Sequence, residues 1–379
     1  MKTTWKMSSL RAIERRWERL FAAVWRSILG SEDLHRHPPK IKLHFSPRID
    51  PRLCARIEWN RGVRLVISSR FGEELQRELA GLAPTLAALA FASVETRRKR
   101  QSEVVSAIEE IAVSFILLHE VFHLMGGHLD WAAAQRGIAH FDEQRLGMAF
   151  GRQRASKKSK SIHRVGLSAA YVLESEADCN AIQWLLQSAE LGELLGLLRT
   201  RLKAAKDFAP QKRQAAFRLV LAAVWLVIRK LESSRATWLQ QRGKTHPLPV
   251  TRLFMAVGTF LREYSEISDI QYDEKGGGQH QLRARDIVSM RRFLQRVLAP
   301  VLKADWSPEH ETVPPNSLEG QMRLYFPDFA NHMLNRKVTT EVGRQMIQME
   351  RARFRMDRTL KPYRFFPTAE LRRHNRRGR

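Results

Sequence analysis

The sequence predicts a mainly α-helical α+β protein with a small N-terminal β-hairpin or sheet. Two observations carry that expectation. Alternation with a period of two is confined to residues 41–67, and from about residue 72 apolar residues recur at helical spacing almost to the end. In chain order, residues 9–29 space Leu10, Ile13, Trp17, Leu20, Phe21, Val24 and Trp25 three or four apart with arginines between them. This is an amphipathic basic helix, able either to lie on a membrane surface or to pack on its own domain. Residues 31–40 read as a linker. IKLHF (41–45) alternates, and LCARIEW (53–59) and VRLVI (63–67) flank Asn60-Arg61-Gly62, which predicts a hairpin with a short glycine-containing turn. Helices are then predicted at 72–93, 102–125, 167–187, 190–205, 212–231, 250–264 and 285–303. The breaks between them fall at a basic, Ser-rich loop (151–164), a Gly-rich turn (274–279) and a Pro-rich stretch (307–316). Three segments follow: an N-terminal helix and linker (1–39), a central domain (40–265), and a C-terminal helical extension with a basic tail (266–379).

The chain has 379 residues, 44% of them hydrophobic, enough for a sizeable core and too many for a disordered polypeptide. Its formal net charge is +26. That excess favours an acidic partner: nucleic acid, an anionic membrane surface or an acidic protein. Much of it lies in the 151–164 loop and in residues 350–379, which read as a densely basic tail. Cys54 and Cys179 make no disulfide framework, and a reducing compartment fits them best. Charges interrupt every apolar run near the N-terminus, so no signal-peptide core is expected. The run LVLAAVWLVI (219–228) is too short to span a bilayer and reads as a buried helix. The expected location is the cytoplasm.

One segment concentrates chemistry. In IAVSFILLHEVFHLMGGHLDW (111–131), His119 and His123 are four apart, so a helix directs both imidazoles from one face toward one ion. Glu120 lies between them in sequence, placed to act on a water at an open coordination position. Chance supplies about 0.03 HExxH motifs in a chain of this composition. The flanking sequence is apolar on almost every face, and burying two imidazoles and a carboxylate there costs several kcal/mol unless a partner compensates. One zinc ion is that partner; core histidines hydrogen-bonded to backbone or carboxylate are the plainer alternative.

Catalytic zinc takes three protein ligands. An HExxHxxGxxH arrangement fails because residue 129 is leucine and His128 falls one place short. YVLESEADCNAIQWLL (171–186) offers Glu174 as the third ligand. Asp178, one turn on, is placed to accept a ring N–H from a ligand histidine. Glu176 is a fallback ligand, about 200° around the helix from Glu174, and reads rather as a solvated carboxylate. A third segment, GKTHPLPVTRLFMAV (243–257), holds Thr245-His246-Pro247 before a helix carrying Arg252. His246 or Arg252 could steady an oxyanion, and His246 or His128 could instead supply a fourth metal ligand.

These three segments resemble the gluzincin metallopeptidases. The order HExxHxxxxH (His119, Glu120, His123, His128), ESEAD (Glu174 to Asp178) and THP…R (Thr245, His246, Pro247, Arg252) is similar to theirs. Within that group the chain resembles most the Lit-like phage-exclusion peptidases, through its hairpin and helix before the HExxH helix and through Ala181, Trp184 and Leu185 after ESEAD. The resemblance covers about residues 40–265. It implies a zincin-like helical core and zinc on His119, His123 and Glu174. It further implies Glu120 as general base, with His246 and Arg252 close to the site; Asp178 and His128 are read as standing behind the ligands. It also implies selective cleavage of an intracellular protein, such as a translation factor, and a role in phage exclusion. The long 151–164 loop, the 285–303 helix and the basic tail have no counterpart in that pattern. The competing expectation is a basic nucleic-acid-binding protein with a non-catalytic metal site, although no helix-turn-helix, RNA-recognition or zinc-finger signature is present.

Overall fold

A computed structural model describes residues 10–30, 34, 37–46, 55–59, 63–91, 93–136, 169–191, 212–232, 249–265, 271–272, 278–279, 284–304, 318–333 and 337–365. The 151–164 loop, the 190–205 helix beyond residue 191, His246 and residues 366–379 lie outside them. The described residues are mostly helical, with a small three-stranded mixed sheet and a two-stranded ribbon. Helix α1 (Leu10–Leu29) buries Ile13, Trp17, Leu20, Phe21, Val24 and Ile28 in the common core, so its apolar face is spent on its own fold. Strands β1 (Ile41–Ser46), β2 (Ala55–Trp59) and β3 (Val63–Ser68) follow, with β3 central. β2 and β3 form the expected antiparallel hairpin, with Trp59 opposite Val63, while β1 pairs parallel to β3 with Ile41 opposite Val63. The central position explains why β3 buries Leu65, Val66 and Ile67 in succession instead of alternating.

The helix predicted at 72–93 is two helices, α2 (Ser69–Gly81) and α3 (Ala83–Ala90), hinged at Leu82. Pro84 has no N–H to return to the Ala80 carbonyl, so the chain must restart its helix there. Helix α4 (Val94–Met125) is the axis of the molecule. Ser93 caps it, its hydroxyl accepting from the Thr96 N–H, and almost every residue from Val104 to Met125 is buried. Each large apolar side chain so buried contributes about 1.5–3 kcal/mol. That reserve offsets the cost of the polar groups at its C-terminal end.

After Gly126 and Gly127 the chain turns into α5 (His128–Arg136). Helices α6 (Ala169–Leu191) and α7 (Lys212–Glu232) pack on α4, and α8 (Pro249–Ser265) packs on α6 and α7. Residues 219–228 lie inside α7 and are buried, as their composition requires, and no described helix is long and apolar enough to cross a membrane. A two-residue ribbon, β4 (Gln271–Tyr272) with β5 (Gly278–Gln279), precedes the segment predicted as one helix at 285–303. That segment is α9 (Ala284–Phe293), a π-helical turn (Leu294–Leu298) and α10 (Ala299–Lys303). Pro300 cannot donate to the Arg296 carbonyl, which accepts from Arg218 Nε at 2.6 Å instead.

The largest departure from expectation lies at the C-terminus. Helices α11 (Leu318–Met333) and α12 (Glu341–Leu360) complete the bundle, and a 3₁₀ turn (Lys361–Tyr363) follows. Residues 350–365 are therefore not a solvated basic tail. Val342, Met346, Met349, Ala352, Met356 and Leu360 form a buried stripe at helical spacing, and Phe365 belongs to the same core as Ile13. The arginines of α12 mask that stripe in the sequence.

Candidate metal centre

The centre forms where the C-terminal end of α4 meets α6. Ala177 and Ala181 are fully buried, and their small side chains let the two helices approach closely. His119 and His123 project from one face of α4, as four-residue spacing requires, and Glu174 faces them from α6. His119 Nε2 lies 3.1 Å from His123 Nε2 and 3.3 Å from Glu174 Oε2, and His123 Nε2 lies 3.2 Å from Glu174 Oε1. All three residues are buried, and their ligand atoms fall within 4.8 Å of one another. Three ligand atoms around a tetrahedral zinc at 2.0–2.1 Å stand about 3.3 Å apart. The observed triangle has those dimensions, so these residues fit a divalent ion.

The electrostatics agree. Burial pushes the His119 pKa down, but the carboxylates of Asp178 and Glu174 outweigh it and hold it well above the ordinary histidine value. Burial likewise opposes ionisation of Glu174, and His123 and His119 outweigh it, keeping the carboxyl well below its usual range. A pocket of this kind attracts positive charge, whether a proton or a metal.

Two polar chains lead away from the triangle. In the first, His119 Nδ1 lies 2.9 Å from Asp178 Oδ1, and Arg252 grips both oxygens of Asp178 through Nε and Nη2, each at 2.8 Å. Burial raises the Asp178 pKa, but Arg252 and His119 together bring it below the ordinary value. Asp178 thus stands where the sequence placed it. Arg252, expected at the oxyanion, has its guanidinium engaged behind His119 instead.

In the second chain, His123 Nδ1 lies 2.9 Å from His128 Nδ1. His128 Nε2 faces Glu176 Oε2 at 3.8 Å, and Arg364 Nη1 reaches Glu176 Oε1 at 2.6 Å. Burial lowers the His128 pKa to about 4, so its imidazole is neutral at physiological pH. Burial opposes ionisation of Glu176, and Arg364, His128 and Arg353 overcome it. Glu176 is therefore a buried, paired carboxylate and not the solvated one its sequence position suggests. Glu174 and Glu176 point to opposite sides of α6, but that helix is covered on both sides.

Two glycines make the second chain possible. A Cβ on Gly126 would come within 2.8 Å of both His128 Nε2 and the Phe122 carbonyl. Gly127 has φ +75°, which L side chains rarely adopt, and a Cβ there would stand 2.5 Å from the Tyr363 carbonyl carbon. Glu120 is buried on α4 beside His119. His246 lies outside the described residues.

Comparison of the chain with protein-family models, characterised proteins and solved structures finds no match. The site is read from its own geometry. Sequence reasoning brought His119, His123, Glu174, Asp178 and His128 to one place, and they meet there. It missed Glu176 and Arg364 as partners. The available signal was a lone arginine between Tyr363 and Phe365, an aromatic setting foreign to a solvated tail.

Proposed function

We propose that the protein is a zinc-dependent endopeptidase that hydrolyses peptide bonds of an intracellular protein. Its metal ligands are His119, His123 and Glu174. The observation that carries this reading is the buried triangle of two imidazole nitrogens and one carboxylate with edges of 3.1, 3.2 and 3.3 Å. Three protein ligands leave a position for water, which distinguishes a catalytic from a closed structural site. When bound, zinc supplies Lewis-acid chemistry at neutral pH.

The chain's own groups divide the remaining work. Glu120 takes a proton from the attacking water and passes it to the leaving amine. Asp178, its carboxylate 2.9 Å from His119 Nδ1, favours the proton on that nitrogen so that the Nε2 lone pair faces the site, and Arg252 fixes Asp178. His246 is the oxyanion donor in this scheme. The resemblance to Lit-like peptidases suggests one selected cytoplasmic target, with phage exclusion as the setting.

The test compares wild type with Glu120→Gln. Both should carry one zinc by elemental analysis. New protein N-termini should appear in cells expressing wild type, and the variant should generate them at least 100-fold more slowly. Wild-type cleavage by Glu120→Gln would remove Glu120 from the mechanism, and a zinc-free wild type would end the metal assignment.

A further inference from the structure

Arg364 lies about 100 residues beyond the segment that resembles a peptidase, yet it is buried and ends a polar chain that begins at His123. Its surroundings are built to hold it. The Phe365 N–H donates to the Met125 carbonyl at 3.0 Å, stitching the C-terminal segment to the last turn of α4. The positive-φ glycine at 127 admits the backbone of Tyr363 at a distance no side chain would allow. From this position we propose that Arg364 is a positioning residue for the metal ligand His123, acting through Glu176 and His128. The metal centre is then completed by the C-terminal segment. The proposal rests on the metal-binding reading above.

The chain of contacts has a direction. An ionised carboxylate only accepts. Glu176, ion-paired with Arg364, stands 3.8 Å from His128 Nε2, too far for a direct hydrogen bond, and its negative charge favours the His128 tautomer with the proton on that facing nitrogen. His128 Nδ1 is then a lone pair, and His123 must present Nδ1–H to it across 2.9 Å. That leaves the His123 Nε2 lone pair turned toward His119 and Glu174. In the reverse arrangement His128 donates from Nδ1, and the proton of His123 sits on Nε2, where a metal must bind. Arg364 thus biases His123 toward its ligating form, as Asp178 does for His119. The two ligands are oriented from opposite sides of α6, one by an arginine of α8 and one by an arginine from beyond α12.

The experiment measures zinc affinity of the full chain by competition with a chromogenic chelator. It compares wild type, Arg364→Gln, His128→Leu, the double variant and Lys361→Met, which alters an exposed charge of the same segment. Arg364→Gln and His128→Leu should each weaken zinc by about 10–100-fold, the range for groups behind a ligand histidine. Lys361→Met should leave it within about twofold, well inside the margin that separates a positioning role from none. The double variant should lose no more than His128→Leu alone, because the two act through one link. The visible spectrum of the cobalt(II)-substituted protein should shift in Arg364→Gln and not in Lys361→Met. Wild-type zinc affinity in Arg364→Gln, or additive losses in the double variant, overturns the proposal while leaving the metal site standing. No zinc affinity in wild type overturns both. Should Arg364→Gln fail to fold, Arg364→Lys is judged by the same affinity criterion, with a smaller loss expected because it keeps the charge.

Discussion

Helix α4 touches buried carboxylates at two places, and the two are held in opposite ways. Near its middle, Glu109 meets Arg16 of α1 and accepts from Gln76 Nε2 at 3.0 Å. Burial dominates there, and the Glu109 pKa lies above the ordinary carboxylate value despite the arginine. At its C-terminal end, three carboxylates of α6 face imidazoles and arginines and all lie below their ordinary values. Arg16 is part-exposed and shares its charge with solvent, whereas Arg252 and Arg364 are buried with their partners. The first site joins three helices, α1, α2 and α4, and a neutral group could replace its carboxylate. The second maintains full charge inside the protein, which costs several kcal/mol per ion unless every partner is in place. Such an expense fits a site that must present lone pairs in fixed directions.

The comparison is most exposed to Asp178→Asn. This change leaves Arg252 buried without its counter-charge and weakens the acceptor for His119. Zinc affinity should fall about 10–100-fold, and stability by about 3–5 kcal/mol. In Glu109→Gln, zinc affinity should stay within about twofold, since no ligand is oriented from there. Chelator competition and urea unfolding on both variants decide the matter. Equal zinc losses at the two positions would erase the distinction drawn between them.

How much of this was legible beforehand depends on the range over which each signal acts. HExxH and ESEAD are local patterns, and helix periodicity alone turns their side chains toward one face. The hairpin, α1 and the buried run in α7 were readable for the same reason. Pro84 and Pro300 were visible too, and so were the carbonyls they free, but not that Arg218 would take the one at Arg296. Beyond that, the sequence is silent about distance. Nothing near Arg364 says that it will meet Glu176, 188 positions earlier, and a basic segment reads as solvated until its methionine stripe finds a surface. The pairing of β1 with β3 is equally non-local. Arg252 was placed near the site correctly, but the carboxylate it would grip depends on how α8 packs on α6.

A second prediction tests the contact between that distant segment and the site. Gly127→Ala puts a methyl into the Tyr363 backbone at a positive φ. Strain and overpacking together should cost about 2–5 kcal/mol in urea unfolding. Gly258, inside α8, has open space where a Cβ would stand. Gly258→Ala should therefore stabilise by about 0.5–1 kcal/mol through helix propensity. If the two alanines behaved alike, the close approach of the C-terminal segment to the glycine turn would not exist in solution.

The smallest effect sharpens the other half of the comparison. A carboxyl whose folded pKa is raised binds its proton more tightly in the native state than in the unfolded chain. The stability Glu109 contributes is then fully present below the ordinary carboxylate pKa, and it is lost as pH rises through the folded value. Glu176 has the opposite sign: its contribution is present above the ordinary carboxylate range and lost as pH falls through its depressed folded value. Glu109→Gln removes only the first of these. Urea unfolding of wild type and Glu109→Gln from pH 4.5 to 7.5, both with chelator so that metal release adds nothing, reads the difference directly. Wild type should gain relative to the variant as pH falls toward the carboxylate range. A constant difference across that window would mean that Glu109 is as well compensated as the carboxylates of α6, and the two ends of α4 would then follow one rule.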